Sequence, residues 1–271
     1  MKDENFDTLL RKSDPDRRLA ALLAPEEQRQ RLFALYAFQH EIARIAEATS
    51  ESLIGEMKLV WWRDAIEDLY ADDPVVRRHA VTEAASAMRH LVPKQAWLEL
   101  IAARMDDVTA RPFTDLDDLL AYVDATAVAL MKIALRLCES ELDEDWTRAA
   151  GRAWGLTGLV RAFPHRASIG RAPVPGDVLT KAGGSAAMLA QGLGRERAAE
   201  AIKPVHEAAR DAMSRFKAFG AIPANAVPAI GYAVLAPAYF SRLPAMPFET
   251  AGEPGLLGRQ LRLNWLALTG R

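Results

Sequence analysis

Apolar residues recur at helical spacing along almost the whole chain, and this periodicity limits the fold more than any other feature. Leu32, Leu35, Phe38, Ile42 and Ile45 follow one another at three- and four-residue intervals, and Leu53, Met57, Val60, Trp61 and Leu69 fall on one face of a second segment. Runs of β-branched residues are short, whereas Ala, Leu, Glu, Arg and Met fill the positions between. A chain without period-two alternation has no apolar face to offer a sheet, so the expected class is all-α. The pattern predicts helices over 25–49, 52–71, 75–91, 93–108, 114 to beyond 137, 144–161, 185–193, 195–219, 223–243 and 254–268. Ser50 or Ser52 is the expected cap of the second, and Thr114 with the acidic turn Asp115, Asp117 and Asp118 starts the fifth.

No internal repeat and no linker divides these segments, so residues 1–271 are expected to form a single domain, with about the first 15 residues flexible. Half the residues are hydrophobic, enough for a large core, and a net charge of -2 gives no field that would attract nucleic acid. The lone cysteine, Cys138, stands among leucines and reads as a buried apolar residue, which suits a reducing compartment. The N-terminal stretch has neither the apolar run of a secretory signal nor the basic, acid-poor composition of a transit peptide. The longest apolar run, AIGYAVLAPAYF (229–240), is too short to span a bilayer and contains Pro237. Together with Trp265 it is the segment expected to touch a membrane.

The histidines His40, His79, His90, His165 and His206 make no metal-ligand spacing with one another, because Arg44 stands where a zinc-protease pattern needs its second imidazole. Glu41, Glu47, Asp64 and Glu67 lie on segments that read as deeply packed. The pairs Asp106–Asp107 and Asp115–Asp117 read as solvated faces or helix starts. One stretch breaks the helical pattern: RAFPHRASIGRAPVP (161–175), punctuated by proline and holding arginines and a histidine but no carboxylate.

ALYAFQHEIARIAE (34–47) and GLTGLVRAFPHRASIGRAPVP (155–175) resemble the two signatures of the squalene/phytoene synthase family, in order and in register. The resemblance implies an isoprenoid-synthase-like helical bundle around a central cavity. The framework positions are kept: Ala34, Leu35, Tyr36, Ala37, Phe38, Arg161, Gly170, Arg171 and Pro175. Tyr36, Phe38, Tyr122, Thr126 and Ala129 would line the cavity, where small residues leave a slot for an isoprenoid chain. The metal-binding aspartates are not kept. Their positions hold Ala43, Arg44 and Glu47 in the first signature and Ala162, His165 and Arg166 in the second, and Pro15–Asp16 replaces a serine–phenylalanine pair. Only Glu47 retains a chemistry suited to magnesium.

Ionising an allylic diphosphate requires its departing charge to be neutralised, normally by metal ions held between carboxylates. The replacements therefore predict no catalytic residues, no metal site and no cofactor, magnesium being required only if the chain were an enzyme. Arg161, Arg171, Arg166 and Arg44 could instead form a metal-free diphosphate pocket, or pair with Glu41, Glu47 and Asp64 to close the site. SESLIGEMKLVWWRDAIEDLY (50–70) resembles the family branch that contains a non-catalytic assembly factor of respiratory complex I. That branch implies complex I subunits or assembly intermediates as partners, and a cytoplasmic protein at the inner membrane surface. A head-to-head prenyltransferase and an isoprenoid-lipid binding module remain as alternatives.

Overall fold

The computed structural model describes residues 5–49 and 51–271. It is helical, with no strand among the described residues. Helices α1 (Phe6–Ser13), α2 (Pro15–Ala21), α3 (Glu26–Ala43) and α4 (Ser52–Leu69) open the chain. Then come α5 (Ala80–Met88), α6 (Lys94–Ala102), the short α7 (Met105–Val108) and α8 (Leu116–Val123). A π-turn (Asp124–Val128) carries α8 into α9 (Ala129–Leu137), and α10 (Glu144–Arg161) and α11 (Phe163–Ser168) follow. Three short helices, α12 (Gly176–Lys181), α13 (Ala186–Ala190) and α14 (Arg195–Ala201), lead to α15 (Lys203–Ala218). The chain closes with α16 (Val227–Ile230), α17 (Ala236–Phe240) and α18 (Leu256–Thr269).

Two helices organise the interior. In α3 every residue from Leu32 to Phe38 is buried, as expected of a helix apolar on all sides. Helix α10 packs along α15 and against the π-turn. Glycine permits that approach: a Cβ on Gly151 would stand 2.5 Å from Val128 Cγ2 and 2.8 Å from its Cα. The main core gathers around α3 with Trp97, Met131 and Tyr232, and a second cluster surrounds Leu119, Leu156, Phe163 and Val205.

The expected helix over 144–161 is found with Asp143 as its cap, accepting the amide protons of Asp145 and Trp146. Others are shorter than periodicity suggests. Proline interrupts two: Pro204 starts α15 after a break at Ile202, and Pro228 and Pro237 cut the 223–243 segment into α16, a 3-10 turn (Gly231–Leu235) and α17. The helix expected over 75–91 begins only at Ala80, where His79 caps it by accepting the Val81 amide proton on Nδ1 at 3.2 Å. Ser50 lies outside the described residues, and α4 starts without a side-chain cap. The segment expected to be flexible carries α1, whose Leu10 is fully buried.

The membrane expectation for 229–240 is corrected. Ala229, Ile230, Tyr232, Ala233 and Tyr239 are all buried, so this run is core rather than surface. Trp265, in contrast, is exposed on α18. No helix among the described residues is long and apolar enough to cross a membrane.

Candidate functional site

The arginine-rich stretch is shaped by its punctuation. Helix α10 ends at Arg161, Pro164 occupies the first turn of α11, and Gly170 (φ +83°) reverses the chain in a conformation that side chains with a Cβ rarely adopt. This reversal turns Arg171 inward, where its side chain is fully buried. Residues 172–175 continue as buried, non-helical chain. The Gly176 amide then donates to the Phe113 carbonyl at 3.1 Å, and a Cβ at Gly176 would lie 2.5 Å from that oxygen.

Arg171 donates to the Asp107 carboxylate, and its guanidinium lies 4.3 Å from the Tyr122 ring centroid and 4.5 Å from that of Phe113. Arg166 Nη2 reaches Asp107 Oδ1 at 2.8 Å, and Arg104 Nη1 reaches Oδ2 at 3.1 Å. The Tyr122 hydroxyl donates to Oδ2 at 2.7 Å and accepts from Arg104 at 3.0 Å. Burial pushes the Asp107 carboxyl pKa up, but Arg166, Arg104 and Arg171 together overcome it and hold the value at about 2. Asp106 extends the cluster to Arg111 at 2.7 Å, and Arg111 reaches Asp118 at 2.9 Å.

The expected diphosphate-pocket residues therefore divide. Arg171 and Arg166 meet on Asp107. Arg161 lies elsewhere, donating to Glu253 at 3.0 Å with its guanidinium 3.9 Å from the Tyr239 ring centroid. The Tyr239 hydroxyl donates to Asp16 at 2.5 Å, and Arg259 pairs with the same carboxylate at 2.9 Å. Arg44 is exposed and lines a cavity of about 320 Å³ with Glu41, Lys58 and Trp61.

The closing partners are also not those expected. Asp107, Asp106 and Glu253 neutralise the arginines, while Asp64 pairs with its neighbour Arg63 at 2.9 Å. Asp107 was expected on a solvated face. It is buried where Arg104, Arg166, Arg171 and Tyr122 converge on it, and the signal for it was the loop itself: arginines with no local carboxylate need one from elsewhere once they are buried.

Of the six positions where the resemblance places metal ligands, one pair meets across the two signatures. His165 Nε2 lies 3.3 Å from Glu47 Oε1, both about half exposed, while Ala43 and Ala162 bring no ligand atom. Among the described residues no three His, Cys, Asp or Glu side chains converge as metal ligands. This donor set does not fit a magnesium cluster, which needs several converging carboxylates.

The expected cavity-lining residues are engaged in packing. Tyr36 stands edge-on to Tyr232 with the Arg17 guanidinium between 5 and 6 Å from both ring centroids, and Phe38 stands edge-on to Trp62 and Trp97. Thr126 donates to the Tyr122 carbonyl at 2.7 Å within the π-turn, and Ala129 is partly buried against the main core.

The geometry agrees with what the chain resembles. In a dehydrosqualene synthase crystal structure the same fold recurs with a TM-score of 0.77 at 15% identity, over 96% of this chain and 93% of that one. Bovine (Bos taurus) complex I assembly factor 6 is 30% identical over 172 residues, which are 63% of this chain and 52% of that protein; the chain thus spans about half the length of that relative. A 15-cis-phytoene synthase from a Paracoccus species is 37% identical over 123 residues, 44% of this chain and 40% of that enzyme. The squalene/phytoene synthase family model matches residues 10–267, and with both signatures facing each other on an isoprenoid-synthase-like helical fold, the chain belongs to the squalene/phytoene synthase family.

Proposed function

We propose that this chain is a non-catalytic member of the family that serves in the assembly of respiratory NADH dehydrogenase, complex I. The observation that carries the first half is the fate of the ligand positions: Arg166 is held by Asp107, Glu47 meets His165, and the alanines contribute nothing. A diphosphate leaving group needs converging positive metal charge, and these side chains offer no carboxylate cage to hold it. The second half is supported by the relative named complex I assembly factor 6. On this reading the partners are complex I subunits or assembly intermediates, met at the inner face of an energy-transducing membrane.

Deleting the gene in its own organism tests this, with assembled complex resolved on native gels and isoprenoids quantified in the same cells. The expected result is a loss of assembled NADH dehydrogenase with squalene and carotenoid levels intact. In parallel, purified protein given farnesyl or geranylgeranyl diphosphate, magnesium and a nicotinamide reductant should give no condensation product. A C30 or C40 product whose formation is abolished by heating the protein would restore the prenyltransferase reading.

A second reading, metal-free binding of a prenyl diphosphate, is favoured by one observation. Arg104, Arg166 and Arg171 each keep a buried Nε without a hydrogen-bond partner, and Arg171 Nη2, 3.6 Å from Asp106 Oδ2, makes no hydrogen bond either. Calorimetry with geranylgeranyl diphosphate and no metal tests it: saturable binding weakened by roughly 1.5–3 kcal/mol in Arg166→Ala supports the pocket, and no heat excludes it.

A further inference from the structure

Helix α18 has two apolar faces, and only one is covered. Leu263 and Leu266 pack into the core, and Arg259 on the same side is fixed by Asp16 at 2.9 Å. Roughly opposite, at 100° per residue, Leu257, Leu261, Trp265 and Leu268 form a second stripe that is 68%, 60%, 62% and 83% exposed. Isolated exposed leucines are ordinary, but an aligned stripe with a tryptophan is not.

The charged side chains along this stripe have one sign. From Pro254 to Arg271 the sequence contains no acidic residue. Beside the helix lies a cavity of about 1100 Å³ whose lining includes Arg210, Lys217, Arg262 and Arg271 and no acidic side chain. Its floor is apolar, with Phe216 and Ile222 among its residues. Neighbouring basic residues that do find carboxylates are Arg215, on Asp211 at 2.8 Å, and Arg259 on Asp16.

We propose that α18 docks the protein on the surface of a bilayer containing anionic lipids. Leu257, Leu261, Trp265 and Leu268 enter the boundary between headgroups and acyl chains, while Arg262, Arg271, Lys217 and Arg210 meet lipid phosphates. The combination of an apolar face bearing Leu and Trp with a basic flank is what an interfacial helix requires. A second copy of the chain fits less well, since a two-fold pairing through this face would set the same basic groups against each other. This inference goes beyond the assembly reading and stands without it, because a docked protein need not assemble anything.

The test is co-sedimentation of the full chain with vesicles of phosphatidylcholine alone or with about 40% phosphatidylglycerol, at low and near-physiological salt. Binding is expected to the anionic vesicles, weakening as salt rises. The double variant Leu261→Asp/Trp265→Asp, whose side chains are exposed in the native fold, should reduce it at least tenfold while circular dichroism and melting stay unchanged. Arg262→Glu should weaken binding to anionic vesicles and flatten the salt dependence, and Leu53→Asp/Met57→Asp on α4 should bind as wild type. Sedimentation with neither vesicle, equal binding by the Leu261/Trp265 variant, or a wild-type dimer that this variant dissolves would each overturn the proposal.

Discussion

Asp107→Asn preserves side-chain shape while removing the negative charge on which Arg104, Arg166 and Arg171 converge. The amide nitrogen would also set donors against the guanidinium and phenol donors that Asp107 now accepts. Removing one partner of a buried ion pair costs about 3–5 kcal/mol, because the remaining charges stay buried without compensation. The linkage gives an independent figure. A carboxyl pKa lowered from 3.8 to about 2 in the fold corresponds to roughly 2 kcal/mol of stability, burial already subtracted. Because the folded value is depressed, this contribution is fully present well above pH 3.8 and is lost as pH falls through 2, with roughly half remaining near pH 3.

At about 2.1 cal/mol/K per residue of unfolding entropy, a loss of about 2–5 kcal/mol lowers the melting temperature of this 271-residue chain by about 4–9 °C. Urea titrations of wild type and variant at pH 7, 5 and 3 read the same quantity directly. The gap between them should be constant from pH 7 to 5 and begin to close at 3. A variant within about 0.5 kcal/mol of wild type at pH 7, the size of an ordinary surface substitution, would refute the view that Asp107 is the electrostatic centre of this loop.

Gly151→Ala should destabilise by about 1–3 kcal/mol, since its Cβ would strike Val128 backbone as well as side chain; Gly158→Ala, with nothing within 4 Å of its Cβ, should be neutral or gain up to about 1 kcal/mol. Denaturant midpoints of the pair read the difference, and equal midpoints would count against close packing of α10 on the π-turn. Cys138 is buried, and burial with the nearby Glu139 pushes its thiol up to about 12. Ellman's reagent at mildly alkaline pH should therefore leave the native chain unlabelled and modify its thiol in urea, while prompt labelling of folded protein would contradict that burial. Magnesium calorimetry should show no tight site, and a saturable one abolished by Glu47→Ala would point to a rebuilt cluster.

The helical class was legible in the sequence because three- and four-residue spacing records which faces are buried, and the helix expected over 144–161 is found with those bounds, where the structure shows Asp143 as its cap. Boundaries governed by proline were less legible: the 223–243 segment is periodic enough for one helix, yet Pro228 and Pro237 divide it. At the site, the juxtaposition of the two signatures was legible as family register, and Glu47 does meet His165. The partner of the buried arginines was not. Asp107 belongs to the Asp106–Asp107 pair that looks like a solvated turn, and local sequence does not say which of two adjacent carboxylates points inward. The structure separates them, leaving Asp107 at 5% exposure while Asp106 reaches outward to Arg111.

That pairing bears on how the 161–175 loop keeps its shape. Arg171 stands at a framework position, inside a loop whose path is set by Gly170 and by the Gly176 contact to Phe113, so its burial is fixed by backbone geometry. A buried guanidinium needs an anion whatever the chemistry of the site. With the neighbouring signature positions now Ala162, His165 and Arg166, the requirement falls on Asp107, and Arg166 adds a second cation to the same carboxylate. One acid serving three guanidiniums explains why its pKa is depressed despite burial and why several guanidinium nitrogens remain unpartnered. The site is thus closed by its own ion pairs, and an anion able to compete with Asp107 for these guanidiniums would draw the loop open.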